Sequence, residues 1–383
     1  ADKASNGERL LILGTEAGAN GNAAKQKELL DQLVAAYPND ERAHFNLGGY
    51  YFAQQDMPKA IEHYKKATEL APTYSGAFNI LGYAYRQNAD YANAEKAFQK
   101  YIELIPNDPN PYDSLAELLL KMGRFDEAIA QYRKALAIDP NFINSYQGIA
   151  SALMYQNKAD EAAAELQKLT DKARSDAERR TALFGLTIVD VDSGKMDKAL
   201  AEVDKQYALG EKTNDVPGMT GDLQLKGNIL LEMGKADDAK AQFDRLLKMT
   251  DESGLSQEIK DNAKIFHHFN LARVAIAKKD MATAKTEADA FSTGTASLKN
   301  PFQTKLTHQL FGTIALEAKD YDNAITELLQ ANQQNPYDLY RLCQAYQGKG
   351  DAAKAKDSCT KAATFNSLPQ LNLAFIRTKA AKA

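Results

Sequence analysis

Apolar and small residues recur along the first half of the chain with a strict 34-residue period. A Leu or Ile followed by a small residue returns at Leu13-Gly14, Leu47-Gly48, Leu81-Gly82, Leu115-Ala116 and Ile149-Ala150. Prolines keep the same spacing at Pro38, Pro72, Pro106 and Pro140. A fixed period of this length indicates a repeat array, in which each unit packs only on its neighbours. We therefore predict five regular units over residues 7–176.

Two small residues twelve positions apart mark the regular units after the first. The first members are Gly48, Gly82, Ala116 and Ala150, and the second are Ala60, Ala94, Ala128 and Ala162. Apolar side chains follow at helical spacing, at Tyr64, Phe98, Tyr132 and Leu166. This pattern predicts two antiparallel helices in close approach, since a larger residue at either place would cost about 1–3 kcal/mol in overpacking.

After residue 176 the period loosens, but the small pairs return. They are Thr187 with Ala199, Gly227 with Ala239, Ala272 with Ala284, Gly312 with Ala324, and Cys343 with Ala355. Insertions at 210–221, 250–256 and 292–301 predict longer loops. We predict five looser units over 177–366, and then an amphipathic capping helix over 367–383 that covers the last unit and leaves Lys379 and Lys382 in water. The whole chain is expected to form one continuous repeat domain.

One unit carries the clearest resemblance to a known family. Its marks are His44, Leu47, Gly48, Tyr51, Ala60, Tyr64, Ala67 and Pro72. They resemble the tetratricopeptide repeat, whose pattern is an aromatic, Leu-Gly, Tyr, Ala, Phe, Ala and Pro at fixed offsets. The resemblance implies an all-α fold, a right-handed α-solenoid superhelix of antiparallel helix pairs, with about ten repeats and a C-terminal capping helix. It also implies a concave groove lined by the first helix of each unit.

The groove predicted from the resemblance contains aromatic and amide side chains and few charges. The candidate partner-binding residues are Arg42, Phe45, Phe52, Asn79, Tyr83, Arg86, Asp113, Glu117, Gln147, Tyr155, Phe184, Asn228 and Arg273. Aromatic rings supply contact area and amides hydrogen-bond a peptide backbone, so such a lining suits an extended peptide or a partner helix. For each aromatic taken alone, packing between adjacent first helices is the favoured interpretation, whereas the set as a whole favours binding.

The leading hypothesis is therefore a non-catalytic protein–protein interaction scaffold that binds a peptide or partner protein in the concave groove. The alternative is a structural or self-assembling repeat protein, because solenoid ends associate when a cap is missing. A remote alternative is a regulatory component of an enzyme complex. The cations that a chaperone-tail clamp of this family requires are absent at the matching places, which are Phe45, Asn110 and Ser114, and this argues against that ligand.

Composition excludes several other functions. The net charge is −4 with acidic and basic residues interleaved, so nucleic acid is not an expected partner. No run of 18 apolar residues occurs, which argues against a membrane span. His44, His268 and His308 fall where the repeat has a bulky core residue, so we expect packing there and neither a metal site nor a catalytic one. No phosphate loop or nucleophile motif occurs, and we expect no cofactor.

The two cysteines and the first residues leave alternatives open. Cys343 and Cys359 fall on facing helices of one unit. We favour two small apolar core residues, and the alternative is a disulfide in an oxidising compartment. The chain begins with Ala1 instead of Met. Removal of a signal peptide and trimming explain this start equally well, so an exported and a cytoplasmic location both stay open.

Overall fold

The computed structural model describes residues 5–296 and 300–383, and over these residues the chain forms 21 α-helices and no strand. Over these residues, nine pairs of successive helices pack on each other, and one further helix follows the last pair. This confirms the all-α prediction of stacked helix pairs and the count of about ten repeats. The chain divides into two compact units, which are unit 1 up to Gly148 and unit 2 from Ile149.

Unit 1 contains four complete helix pairs and the start of α9. The helices are α1 (Asn6–Ala19), α2 (Ala23–Ala36), α3 (Glu41–Ala53), α4 (Met57–Leu70), α5 (Ser75–Gln87), α6 (Tyr91–Leu104), α7 (Pro109–Lys121), α8 (Phe125–Ile138) and α9 (Ile143–Tyr155). Their apolar sides form a core in which Leu30, Leu47, Tyr64 and Leu81 are almost fully buried.

Unit 2 contains the remaining helices. They are α10 (Ala159–Lys172), α11 (Asp176–Asp192), α12 (Met196–Thr213), α13 (Val216–Glu232), α14 (Ala236–Glu252), α15 (Gln257–Ala277), α16 (Met281–Ala296), α17 (Pro301–Glu317), α18 (Tyr321–Gln330), α19 (Pro336–Lys349), α20 (Ala352–Ala363) and α21 (Leu371–Lys382). The sequence predicts a change from regular to looser repeats at residue 176, and this boundary stays a prediction.

The turn between α3 and α4 shows how the sequence ends one helix and begins the next. Gln55 adopts a left-handed backbone with φ of 61°, which cannot continue the α-helix. Asp56 then caps α4, because its Oδ1 accepts a hydrogen bond from the backbone N–H of Lys59 at 3.3 Å. Ala89 repeats the left-handed turn one repeat later, and Asp90 caps α6. The 34-residue period therefore sets helix ends as well as core positions.

The inserted residues of unit 2 lengthen its helices more than its loops, so the prediction of longer loops at 210–221 and 292–301 is wrong where the structure describes them. α12 continues to Thr213 and α13 begins at Val216. Asn214 ends α12 with φ of 52°, and Asp215 caps α13, so two residues suffice for the link. In the third insertion α16 continues to Ala296, and residues 297–299 lie outside the described residues.

Candidate functional site

The first helix of the second repeat carries three of the predicted groove residues. Asp40 caps α3 and also holds Arg42, whose Nη2 lies 2.8 Å from Asp40 Oδ2 while the side chain stays largely exposed. Phe45 is half-buried, with ring centres 5.6 Å from Tyr64 and 5.1 Å from Tyr74. Phe52, at the end of the same helix, is also half-buried. Both rings therefore pack on neighbouring aromatic side chains and remain partly exposed.

The next two first helices are joined by an ion pair. Arg86 of α5 donates from Nη1 to Glu117 Oε2 of α7 at 2.8 Å, and the guanidinium lies 4.8 Å from the Tyr83 ring centre. The Tyr83 hydroxyl lies 3.4 Å from the same Glu117 oxygen. Burial, together with the negative charge of Glu117, raises the pKa of Tyr83, so this phenol stays protonated. The three side chains form one polar cluster at a partly exposed surface.

We call Phe45, Phe52, Tyr83, Arg86 and Glu117 the groove band. They come from three successive first helices, α3, α5 and α7, and all five are half-buried. Sequence reasoning therefore identified five side chains of unit 1 that combine firm support with partial exposure.

Two further predicted residues of unit 1 have polar atoms that are buried. Asp113 is only 3% exposed and accepts a hydrogen bond from Ser145 Oγ at 2.7 Å. Burial raises the pKa of Asp113 to about 7, and the nearby Glu117 adds to the shift. Asn79 is half-buried, and its Oδ1 is a buried acceptor without a partner among the described residues. Asp113 is therefore part of the packing between helices, which makes it a poor candidate for partner contact.

Tyr155 was predicted to line the groove, but the structure places it beneath the C-terminal segment of the same chain. The ring is 7% exposed. Its hydroxyl donates to the carbonyl oxygen of Ser367 and accepts from the Ser367 N–H at 3.2 Å. A segment 212 residues away in sequence covers this side chain. As an accessible groove residue Tyr155 is a wrong prediction, because a repeat pattern carries no information about so distant a contact.

The C-terminal helix explains this burial. α21 packs on α19 and α20, as the predicted cap over the last unit requires, and also on α11. Arg377 pairs with Asp192 of α11 through contacts of 2.8 and 2.5 Å, and the two side chains are 12% and 4% exposed. Lys379, predicted to face water, is half exposed but pairs with Glu232 of α13 at 2.9 Å. The helix therefore spans the first-helix side of unit 2.

The remaining predicted residues are half-buried. Gln147 lies in α9, Phe184 in α11, Asn228 in α13 and Arg273 in α15. The structure brings the last two together, because Arg273 Nη1 donates to Asn228 Oδ1 at 2.7 Å. Whether any of these side chains contacts a partner stays a prediction.

Comparison with known families identifies the repeat. Three models described as tetratricopeptide repeat match residues 13–75, 70–141 and 119–183. The chain is a tetratricopeptide repeat protein. Members of this family act as protein-interaction scaffolds and are generally non-catalytic, so the family implies protein partners. A search of curated proteins returns no match.

Several solved structures are similar to parts of this tetratricopeptide repeat protein. A MamA protein is 28% identical over 45% of this chain and 94% of its own, with a TM-score of 0.41. A tetratricopeptide repeat protein from Parabacteroides merdae is 16% identical over 69% and 99%, with a TM-score of 0.49. The Naa15/Naa10 complex bound to HypK-THB is 14% identical over 99% and 66%, with a TM-score of 0.34. At these TM-scores the likeness says nothing of function.

Four of the five histidines of this tetratricopeptide repeat protein make contacts within their own helical hairpins. His268 Nδ1 lies 2.6 Å from Glu287 Oε2, and His308 Nδ1 lies 2.7 Å from Glu327 Oε2. His44 is buried and contacts His63 instead, at 3.1 Å between the two Nδ1 atoms. Over residues 5–296 and 300–383, no group of three or more His, Cys, Asp or Glu could hold a metal ion, and no helix is long and apolar enough to cross a membrane.

The cysteines form a bond that the sequence left open. Cys343 of α19 and Cys359 of α20 make a disulfide, with 5.1 Å between their Cα atoms. The favoured interpretation as two unbonded core residues is therefore wrong, although both side chains are buried as expected. The bond joins the two helices of the last repeat, on which α21 packs.

Proposed function

We propose that this protein is a non-catalytic scaffold that holds a segment of a partner protein on the groove band of unit 1. The observation that carries the proposal is that the groove band presents supported aromatic rings beside a polar cluster on the first helices of three successive repeats. Interaction surfaces concentrate their binding energy in such rigid aromatic and arginine side chains.

The polar part of the surface supports a peptide as the ligand. Arg86 and Glu117 offer both signs of charge at 26% and 16% side-chain exposure, so each retains donors or acceptors at the surface. A peptide backbone brings N–H donors to such acceptors, and its side chains can cover the rings of Phe45 and Phe52.

The test is a crosslinked affinity purification from the source cell with four versions of the protein. Besides wild type, a Phe45→Ala/Phe52→Ala variant removes the rings, and an Arg86→Glu/Glu117→Arg variant keeps the ion pair but reverses its polarity. Truncated anchors of this kind typically weaken binding by about 2 kcal/mol or more. We therefore expect one or more proteins to be recovered with wild type and lost with both groove variants.

The matched control is Glu62→Ala/Lys65→Ala, which changes two exposed positions on α4, the second helix of the same repeat. Circular dichroism checks that every variant keeps its helices. A partner that all versions recover equally would refute the groove band as the site. Recovery of the protein itself as the only crosslinked species would instead support the self-assembling alternative.

A further inference from the structure

A cavity of about 720 Å³ lies within unit 2. Its walls come from α13, α15, α17 and α19, and α21 with the residues before it closes one side through Gln370, Asn372, Phe375 and Lys379. Cavities that hold small molecules commonly measure about 300–1,000 Å³. The exposed side chains of Gln344 and Phe302 at the wall leave it open to solvent.

One wall of the cavity is apolar and aromatic. Phe266 and Phe269 of α15 line it together with Leu306 and Leu310 of α17. Phe266 and Phe269 pack on the buried Phe291, with ring centres 5.7 and 5.3 Å away. This support from behind holds the wall in place, so it offers a preformed contact surface for an apolar group.

Arg273 supplies an unbalanced positive charge to the wall. Two other cations there have carboxylate partners, since Arg341 lies 3.2 Å from Asp338 and Lys379 lies 2.9 Å from Glu232. Arg273 instead donates to the neutral Asn228 and lies 5.5 Å from the Phe269 ring centre, and no carboxylate of the described residues is within ion-pairing distance. Burial, with the like charge of Arg341, lowers the pKa of Arg273 to about 10. A bound anion would offset the free-energy cost of removing this guanidinium from water.

Gln309 supplies an acceptor without a donor. Its Nε2 donates to Asp338 Oδ1 at 2.7 Å, which fixes the orientation of the amide. Its Oε1 is buried and has no hydrogen-bond partner in the part of the chain that the structure describes. A buried acceptor left in this state is unfavourable, and a ligand N–H would satisfy it.

We propose that this cavity binds a small organic carboxylate that also carries an amide N–H and an apolar group. The carboxylate pairs with the guanidinium of Arg273, whose fork of donors suits a carboxylate. The N–H meets the free acceptor of Gln309, and the apolar group packs on Phe266 and Phe269. This site is separate from the groove band and does not depend on the function proposed for it.

The test uses N-acetylphenylalanine as the probe, with binding to the whole protein followed by isothermal titration calorimetry. We expect a Kd of about 1 mM or tighter, the range in which a few such contacts first become measurable. Two analogues test the chemistry without any change in the protein. The neutral C-terminal amide should bind at least about tenfold more weakly, since it cannot form the charged pair. The ester analogue, in which oxygen replaces the N–H, should also bind more weakly.

Variants test the position of the site. Arg273→Gln should weaken binding of the carboxylate probe at least about tenfold and abolish its advantage over the amide. The matched control Arg42→Gln changes an exposed arginine in unit 1 and should bind as wild type does. The Phe45→Ala/Phe52→Ala variant should also bind the probe normally, because it changes only the groove band. A failure of the cavity proposal can therefore be told apart from a failure of the proposed partner-binding function. No binding by wild type up to about 10 mM, or equal affinity for acid and amide, would overturn the proposal.

Discussion

Two adjacent glycines of α3 allow a direct measurement of helix–helix packing. An ideal Cβ on Gly48 would lie 2.9 Å from Cδ1 and Cε1 of Tyr64, whose side chain is almost fully buried. A Cβ on Gly49 would meet only the Tyr64 hydroxyl, at an ordinary 3.7 Å. Both substitutions to Ala gain about 1 kcal/mol of helix propensity. At Gly48 the overlap costs about 1–3 kcal/mol, because the ring of Tyr64 also contacts Phe45 and cannot withdraw freely.

Gly49→Ala should therefore stabilise the repeat by about 1 kcal/mol, while Gly48→Ala should be neutral or destabilise it by up to about 2 kcal/mol. Repeat arrays depart from two-state unfolding, so urea titration followed by circular dichroism should be combined with amide hydrogen exchange of α3 and α4. If both variants change the exchange of these helices with the same sign and size, the packing argument is refuted and propensity alone governs these positions.

Three further predictions concern polar and covalent contacts. Because the pKa of Asp113 is raised to about 7, its contribution to the free energy of unfolding should fall by up to about 4 kcal/mol as pH rises from about 4 to 7. Asp113→Asn should therefore flatten the pH dependence of urea unfolding. If the stability of wild type and of the variant changes with pH in the same way, this prediction is wrong. Arg377→Ala leaves the buried Asp192 unpaired and should destabilise unit 2 by about 3–5 kcal/mol in the same urea titration. Replacement of both Arg377 and Asp192 by apolar residues should destabilise unit 2 less, because no unpaired charge then stays buried. Reduction of the Cys343–Cys359 disulfide, which spans 16 residues, should destabilise α19 and α20 by about 3 kcal/mol by hydrogen exchange, whereas a double alanine variant should not respond to reductant.

The sequence predicts those parts of the fold that depend on contacts between neighbouring repeats. Gly48 and Tyr64 are sixteen residues apart, and their close approach follows from the period alone. The same marks identify the irregular repeats, as Gly227 and Phe243 show, since a Cβ on Gly227 would lie 2.3 Å from that ring. Helix propensity and the spacing of small residues are local properties of the sequence. They therefore predict helix pairs, whose contacts are also local.

The candidate site was less predictable, because some of its residues make contacts with distant parts of the chain. Phe45 and Tyr83 have the partial exposure expected of groove residues, because only nearby helices determine it. Tyr155 was also predicted to line the groove, yet Ser367 covers it. The cavity beside Arg273 likewise depends on α21, which the sequence placed only over the last repeat. Contacts at this separation follow from curvature accumulated over several repeats, which no single repeat sequence specifies.

The return of α21 to α11 also affects the order in which the chain completes its folding. Tyr155 and Ser367 are 212 residues apart, and Arg377 and Asp192 are 185 apart. During synthesis, the repeats of unit 1 can close as soon as they emerge, because every pair of helices finds its partner nearby. Unit 2 cannot complete its contacts until α21 has been synthesised, since the contacts of this segment require loop closure over long sequence distances. Until then, the surface of unit 2 that α21 later covers is exposed and open to other molecules.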